Sequence, residues 1–394
     1  MKRITRRGFL RRVGLAGAGV AILPGRSGAQ KTVGLVKRVV YAPGNTYFTY
    51  PHCNGFLPDG AAVLAQYAKG VNPHVQQPLD YLAFDMETGA VRTVGHCADA
   101  RTYYCVAKDG VMLAPTTRGA HVMDLAKGGA MRTIYTVGAD WKVGDVSDIS
   151  ADGREAMLNS FKYSGPGVVA ESRIEGVDVA SGKVRRVMDT NWLMNHVHYS
   201  PYDPAWVMFC HEGKADDRIW TWNAKEAPKG RMLFDQKTAD GKFFNVGHER
   251  AMFHKKATLF VAYRNSSARP IGLYEVTFDR AAKVVSVYDR YWHCNISRDG
   301  RWAVADTIGP VDGTVPKEIP GLGNDGLCHV LAVNLRTGAR EILSSAHAGP
   351  MHPYHPHPHI SPDGRWVVFN DAVRKGVVAV EIDQGRLEEF LEKG

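Results

Sequence analysis

Beyond its first 29 residues the chain has no apolar run long enough to span a membrane, and no stretch carries the period of a long amphipathic helix. It lacks Gly-x-Ser-x-Gly, which argues against a peptidase fused to another fold. It has neither a phosphate-cradling glycine loop nor a Cys-x-x-Cys-His haem attachment. Cysteine is scarce. The six (Cys53, Cys97, Cys105, Cys210, Cys294, Cys328) lie far apart and form no Cys-x-x-Cys pair. A chain this long builds a core without disulfide staples, so they read as buried free thiols. Five adjoin a histidine (His52-Cys53, His96-Cys97, Cys210-His211, His293-Cys294, Cys328-His329), which leaves thiolate ligation open.

A real excess of basic charge is missing as well. The formal net charge is +9, but seven of the 49 Lys and Arg fall within residues 1–29, which hold no acid, leaving 42 basic against 40 acidic residues. The balance gives no reason to expect a nucleic-acid partner. Those same residues carry Thr5-Arg6-Arg7-Gly8-Phe9-Leu10, a twin-arginine pattern. A short, glycine-rich apolar stretch at 13–23 and a small-residue site at Ser27-Gly28-Ala29 follow it. We expect residues 1–29 to be a signal read by the Tat export machinery. Residues 30–394 are then one domain in the periplasm or outside the cell, with no membrane association after signal removal.

What the chain has is repetition. A turn before an apolar strand recurs as Leu57-Pro-Asp-Gly, Ala107-Lys-Asp-Gly, Ser150-Ala-Asp-Gly, Ser200-Pro-Tyr-Asp, Ser297-Arg-Asp-Gly and Ser361-Pro-Asp-Gly, with a degenerate copy at Phe253-His-Lys-Lys. Alternating with it is a strand–turn–strand pattern at 81–94, 121–135, 174–188, 218–234, 272–288, 329–343 and 377–390. Asp-Gly and Thr-Gly provide the positive φ that tight hairpins need. Seven copies of each predict an all-β chain, a seven-bladed β-propeller with four-stranded blades. A strand near 35–41 is expected to complete the last blade.

Histidine is concentrated where such a fold would bring it together. Met351–Phe369 holds His352, His355, His357 and His359, and strand alternation would send the last three to one face. Imidazoles without thiolates suit Mn, Fe, Ni or Zn. Counting back four residues from the turns that begin at Ser200, Ser297 and Ser361 gives His196, His293 and His357. Three blades thus place histidine at one structural position, facing the central channel. His52 and His248 open the corresponding strands of two more. His359, one step deeper, reads as packed or hydrogen-bonded.

In order along the chain, His196-Val-His-Tyr-Ser-Pro, Met208-Phe-Cys-His-Glu-Gly, Asp217-Arg-Ile-Trp, Gly247-His-Glu, His293-Cys-Asn-Ile-Ser-Arg-Asp-Gly and His355-Pro-His-Pro-His-Ile-Ser-Pro-Asp-Gly resemble the oligogalacturonate lyase family. These are seven-bladed propellers that cleave short pectin fragments by β-elimination using manganese. The resemblance is strongest from about residue 190 onward. It implies that His293, His355 and His357 ligate the metal, that His248 is the catalytic base and that Arg218 contacts substrate. The family's fourth ligand is a glutamine at the position of His352, and an all-imidazole set suits Ni, Fe or Zn as well as Mn. Export is a second departure, since the family acts in the cytoplasm. His196 and His211 are further candidates for substrate contact.

The chemistry implied fits these residue types. Cleavage of a uronide removes the C5 proton, α to a carboxylate, and negative charge grows on that carboxylate. A cation and an arginine stabilise the charge while a neutral imidazole takes the proton. We therefore expect a metal-dependent lyase of uronic-acid oligosaccharides, with oligogalacturonate the first substrate to test. A propeller lyase acting on another uronate such as ulvan, a non-catalytic metal-binding periplasmic scaffold, and a metal-dependent oxidoreductase are the competing readings.

Overall fold

The computed structural model describes residues 34–73, 75–213, 216–313, 318–319, 323–324 and 326–393. The proposed export signal lies outside them. Residues 33–394 form one compact unit. Among the described residues its strands make seven blade sheets that follow one another along the chain, each antiparallel and laid down mostly in sequence order, and a small two-stranded ribbon of Glu318–Ile319 and Gly323–Asn324. Blade 1 is Thr46–Tyr47, Ala62–Gln66, Gln77–Phe84 and Val91–Ala100. In blade 3 the innermost strand is broken into Lys142–Val143 and Asp148–Ile149, both paired to Glu155–Gly165. Blade 4 (Met194–Tyr199, Trp206–His211, Ile219–Asn223, Ala227–Met232) and blade 5 (Val246–Ala251, Ala257–Ala262, Gly272–Thr277, Ala282–Val287) are regular. Blade 6 opens with Tyr291–Ile296 and Trp302–Thr307.

The ring closes as the sequence suggests. Val36–Gly44 pairs with Gly376–Ile382 as the outermost strand of blade 7, so the two ends of the unit share a sheet. Apolar side chains from adjacent blades supply the core between them. At the closure, Phe48, Leu64 and Phe84 of blade 1 pack against Trp366 and Val368 of blade 7. Burying both faces of each sheet is what makes the inner strands read as continuous apolar runs.

Two expectations need correction. The last strand–turn–strand copy, 377–390, is a strand followed by an α-helix, Gln384–Lys393. The segment has no hairpin turn; Asp383 caps the helix by accepting from the Arg386 amide at 3.1 Å, and Leu387 and Leu391, four residues apart, are buried. Because the N-terminal strand already fills the blade, no second strand is required. The other correction concerns His355, His357 and His359, which do not alternate along one strand. Only His359–Ile360 is strand, and His357 has φ +47°, which breaks the period.

Candidate active site

The hairpin hydrogen bonds set the register of the innermost strands. Ser200, Met252, Ser297 and Ser361 each donate their amide across the turn, to Trp206, Ala257, Trp302 and Trp366 respectively. Counting back four residues gives His196, His248, His293 and His357. The blade-five turn therefore starts at Met252 rather than Phe253, and His248 joins the other three at one level of four consecutive blades. His196, His248 and His357 share a left-handed backbone, φ +54°, +54° and +47°. In blades 4 and 5 the ladder slips at this point, between Asn195 and His198 and between Gly247 and Arg250. Such bulges re-aim a side chain toward a site, here the channel mouth.

His293, His355 and His357 offer ring nitrogens that all lie within 4.8 Å of one another. The His352 ring lies against them, 4.2 Å from His355 and 4.9 Å from His357 between centroids. His293 is fully buried. Its Nδ1 is 2.8 Å from Asp306 Oδ2, and its amide donates to Oδ1 at 2.6 Å. The carboxylate fixes the ring with Nε2 inward, and that buried nitrogen has no hydrogen-bond partner; neither nitrogen of His357 has one either. A carboxylate–histidine pair with an unpartnered Nε2 is the arrangement that orients a metal ligand. Burial pushes the Asp306 carboxyl up to about 8, against the amides of His293 and His357 that hold it down. Asn370 accepts from the Phe48 amide and donates to Pro353 and His355 carbonyls, clamping the loop that carries the pair of ligands. These residues fit a divalent cation.

His248 adjoins the cluster, its ring 4.0 Å from that of His293. Its Nδ1 is 2.5 Å from the Trp292 carbonyl and 2.7 Å from the Tyr263 hydroxyl. A carbonyl only accepts, so Nδ1 carries the proton and Nε2 the lone pair. Burial, then the neighbouring His196 and Arg218, lowers its pKa to about 3.

Arg218 lies between two acids. Nε reaches Glu249 Oε2 at 3.4 Å, Nη1 reaches Glu212 Oε1 at 3.1 Å, and its amide donates to Gln236. Burial would raise the Glu212 carboxyl, but Arg218 and His196 outweigh it and hold the pKa near about 2. Glu249 is fully buried and is also held well below the usual range, chiefly by Arg218. His196 Nδ1 sits 3.3 Å from Glu249 Oε1.

The structure thus gathers His196, His248, His293, His352, His355, His357 and Arg218 around one channel mouth. His211 stands apart: Asp217 holds its Nδ1 at 2.7 Å and its ring stacks on Trp192. His359 has both nitrogens engaged, by the His357 and Tyr50 carbonyls. Sequence reasoning missed Tyr50, whose ring lies 5.0 Å from His196 and 4.8 Å from His357, at the centre of the cluster. It also missed Asp306, Glu249 and Tyr263. Glu249 was within sight in Gly247-His-Glu; the others lie on second strands, where only the register identifies them.

No family model matches the sequence. An oligogalacturonide lyase of Pectobacterium atrosepticum is 27% identical over 216 residues, 51% of this chain, so the chain spans about half, 52%, of that relative's length. Among solved structures, an oligogalacturonate lyase in complex with manganese aligns over 87% of this chain and 92% of its own, with TM-score 0.70 and 17% identity. The oligogalacturonate lyase of Vibrio parahaemolyticus aligns over 90% of this chain and 98% of its own, with TM-score 0.71 and 17% identity. The likeness carried by the histidine motifs thus extends to the whole ring, and the chain has the fold of the oligogalacturonate lyases.

Proposed function

We propose that this protein is a metal-dependent lyase that cleaves uronic-acid oligosaccharides, oligogalacturonate first among them, by β-elimination to 4,5-unsaturated products. The observation that carries the reading is His248: a neutral imidazole with its tautomer fixed, ring to ring with a buried ligand cluster and beside a guanidinium. His293, His355 and His357 would hold the cation, with His352 as fourth ligand. Mn is the first metal to test and Ni, Fe and Zn the alternatives, and when bound the metal draws charge from the uronate carboxylate.

The chain's own groups do the rest. Nε2 of His248 takes the C5 proton, and the Trp292 carbonyl and Tyr263 hydroxyl keep the ring in place as its charge changes. General-base action of this kind contributes about 10²–10⁴-fold. Arg218 is held rigid by Glu212 and Glu249 and presents its remaining edge to the carboxylate. Tyr50 and His196 wall the pocket and keep water from the C5 carbanion. The twin-arginine pattern belongs to the same reading: an enzyme exported folded, acting on uronates in the periplasm or outside.

The test uses the mature chain stripped of metal and reloaded with Mn, Ni, Fe or Zn, then given di- and trigalacturonate. Metal-dependent growth of ultraviolet absorbance from the unsaturated product, lost in His248→Ala, is the expected result. A flat trace on galacturonates with growth on ulvan moves the substrate. A flat trace on every uronate, with metal tightly bound, rejects the lyase in favour of a metal-binding scaffold.

A further inference from the structure

Two residues past the histidine level, the same innermost strands carry a second tier: Cys105, Asp148, His198, Arg250, Asn295 and His359, all buried. Nearly every polar group in this tier is satisfied. Cys105 donates to Asp148 Oδ1 at 2.8 Å, and Asp148 also accepts from the Ile149 and Tyr199 amides. His198 bonds the His196 carbonyl and the Ala251 amide. Asn295 donates to the Pro51 carbonyl, and His359 is engaged at both nitrogens.

Arg250 is the exception. It is 6% exposed, its buried Nε has no hydrogen-bond partner, and among the described residues no carboxylate lies within 4.0 Å of its guanidinium. The Phe253 ring lies 4.8 Å from Cζ to centroid, and Asp148, on the same tier and the same cavity wall, attracts the guanidinium without a direct ion pair. A buried guanidinium with an unmade hydrogen bond and no ion pair in contact is unfavourable. Arg250 lines a cavity of about 150 Å³ at the turn end of the channel, away from the histidine mouth. Phe56, Ile149, Phe253 and Ile360 wall it, and Lys108 and Arg298, both exposed, stand at its rim.

We propose that this cavity binds a small organic carboxylate, its charge on the Arg250 guanidinium and its apolar body against the aromatic and aliphatic walls. Guanidinium forks match carboxylates two bonds at a time. Apolar walls around a few polar groups suit an organic body better than a bare ion or a polyhydroxylated sugar acid. The basic rim draws anions in. The site is separate from the lyase centre and does not rest on that reading.

The experiment is thermal unfolding of the metal-loaded mature chain, at fixed ionic strength, in sodium butyrate, D-galacturonate, chloride or phosphate. Butyrate should raise the melting temperature in a saturable way. The shift should vanish in Arg250→Met, shrink in Arg298→Ala and persist in His248→Ala, which keeps its metal. If Arg250→Met does not fold, Arg250→Lys keeps the charge, loses the fork and should weaken butyrate binding at least tenfold. A butyrate shift lost in His248→Ala instead would place binding at the histidines and overturn the proposal. So would equal shifts with chloride or phosphate, a galacturonate shift that exceeds butyrate's, or no shift with butyrate.

Discussion

Blades 4–7 and blades 1–3 use one strand position in opposite ways. Four residues before the turn, blades 4–7 carry His196, His248, His293 and His357, while blades 1–3 carry Cys53, Tyr103 and Val146. The backbone is the same device in both halves. In blades 4, 5 and 7 it is twisted to positive φ to turn an imidazole into the channel, whereas the residues of blades 1–3 pack together in one apolar cluster. A seven-fold scaffold thus carries a one-sided cluster: the second half supplies the gathered imidazoles and Arg218, and the first half supplies a wall. Tyr50, reaching across from blade 1, is where the wall meets the ligands.

The sharpest way to break this contrast is to remove a ligand. His357→Ala should abolish both stoichiometric metal, read by atomic absorption, and lyase turnover, read by ultraviolet absorbance. Next comes His248→Ala, which should lower kcat by about 10²–10⁴-fold and leave metal content intact. An equal loss of metal would make His248 a ligand rather than a base.

Residues behind the ligands should matter less. Asp306→Asn should weaken metal affinity by about 10–100-fold, since it leaves His293 without its carboxylate partner. Titration against a chelator measures that. Acid should also cost the second half stability. Glu212, lowered to about 2 in the folded chain, contributes stability that is present above its unfolded value of 4.5 and lost as pH falls through about 2. Thermal melts between pH 5 and 2 should fall less steeply in Glu212→Gln. Smallest of all is Tyr103→Phe in blade 2. Its buried hydroxyl has no partner, so turnover and melting temperature should stay close to wild type. A large loss there would mean the first half takes part in chemistry.

The ring was legible because turn chemistry repeats: Asp-Gly before an apolar run marks blades 1, 2, 3, 6 and 7, Ser200-Pro-Tyr-Asp stands in for it in blade 4, and the copies could be counted. Blade 5 shows where that fails. Its turn has no Asp-Gly, so the register of His248 depended on a hydrogen bond from Met252 that sequence does not display. The terminal helix was hidden because Gln384–Lys393 lies where a strand was due, and only the capping Asp383 and the Leu387–Leu391 spacing mark it. In the site, the motifs pointed to His293, His355 and His357, which the structure brings together. Asp306 and Tyr263 were not, since each meets its histidine across a hairpin, and strand pairing rather than local spacing creates the contact. Nothing in the sequence singles out Arg250; its unpartnered Nε shows only against the hydrogen-bonded groups of its tier.

The seam of the ring has a consequence for how the protein is made. Arg38, on the closing strand, pairs with Glu381, 343 residues away, so during synthesis the first strand waits with an open edge until the last blade emerges. The clustered imidazoles follow the same calendar. His293 emerges with blade 6, but His355 and His357 belong to the loop that leads into the closing blade. A nascent chain therefore lacks the three-imidazole cluster until the approach to the closing blade has emerged, so the cluster and the ring are completed within one last stretch of synthesis.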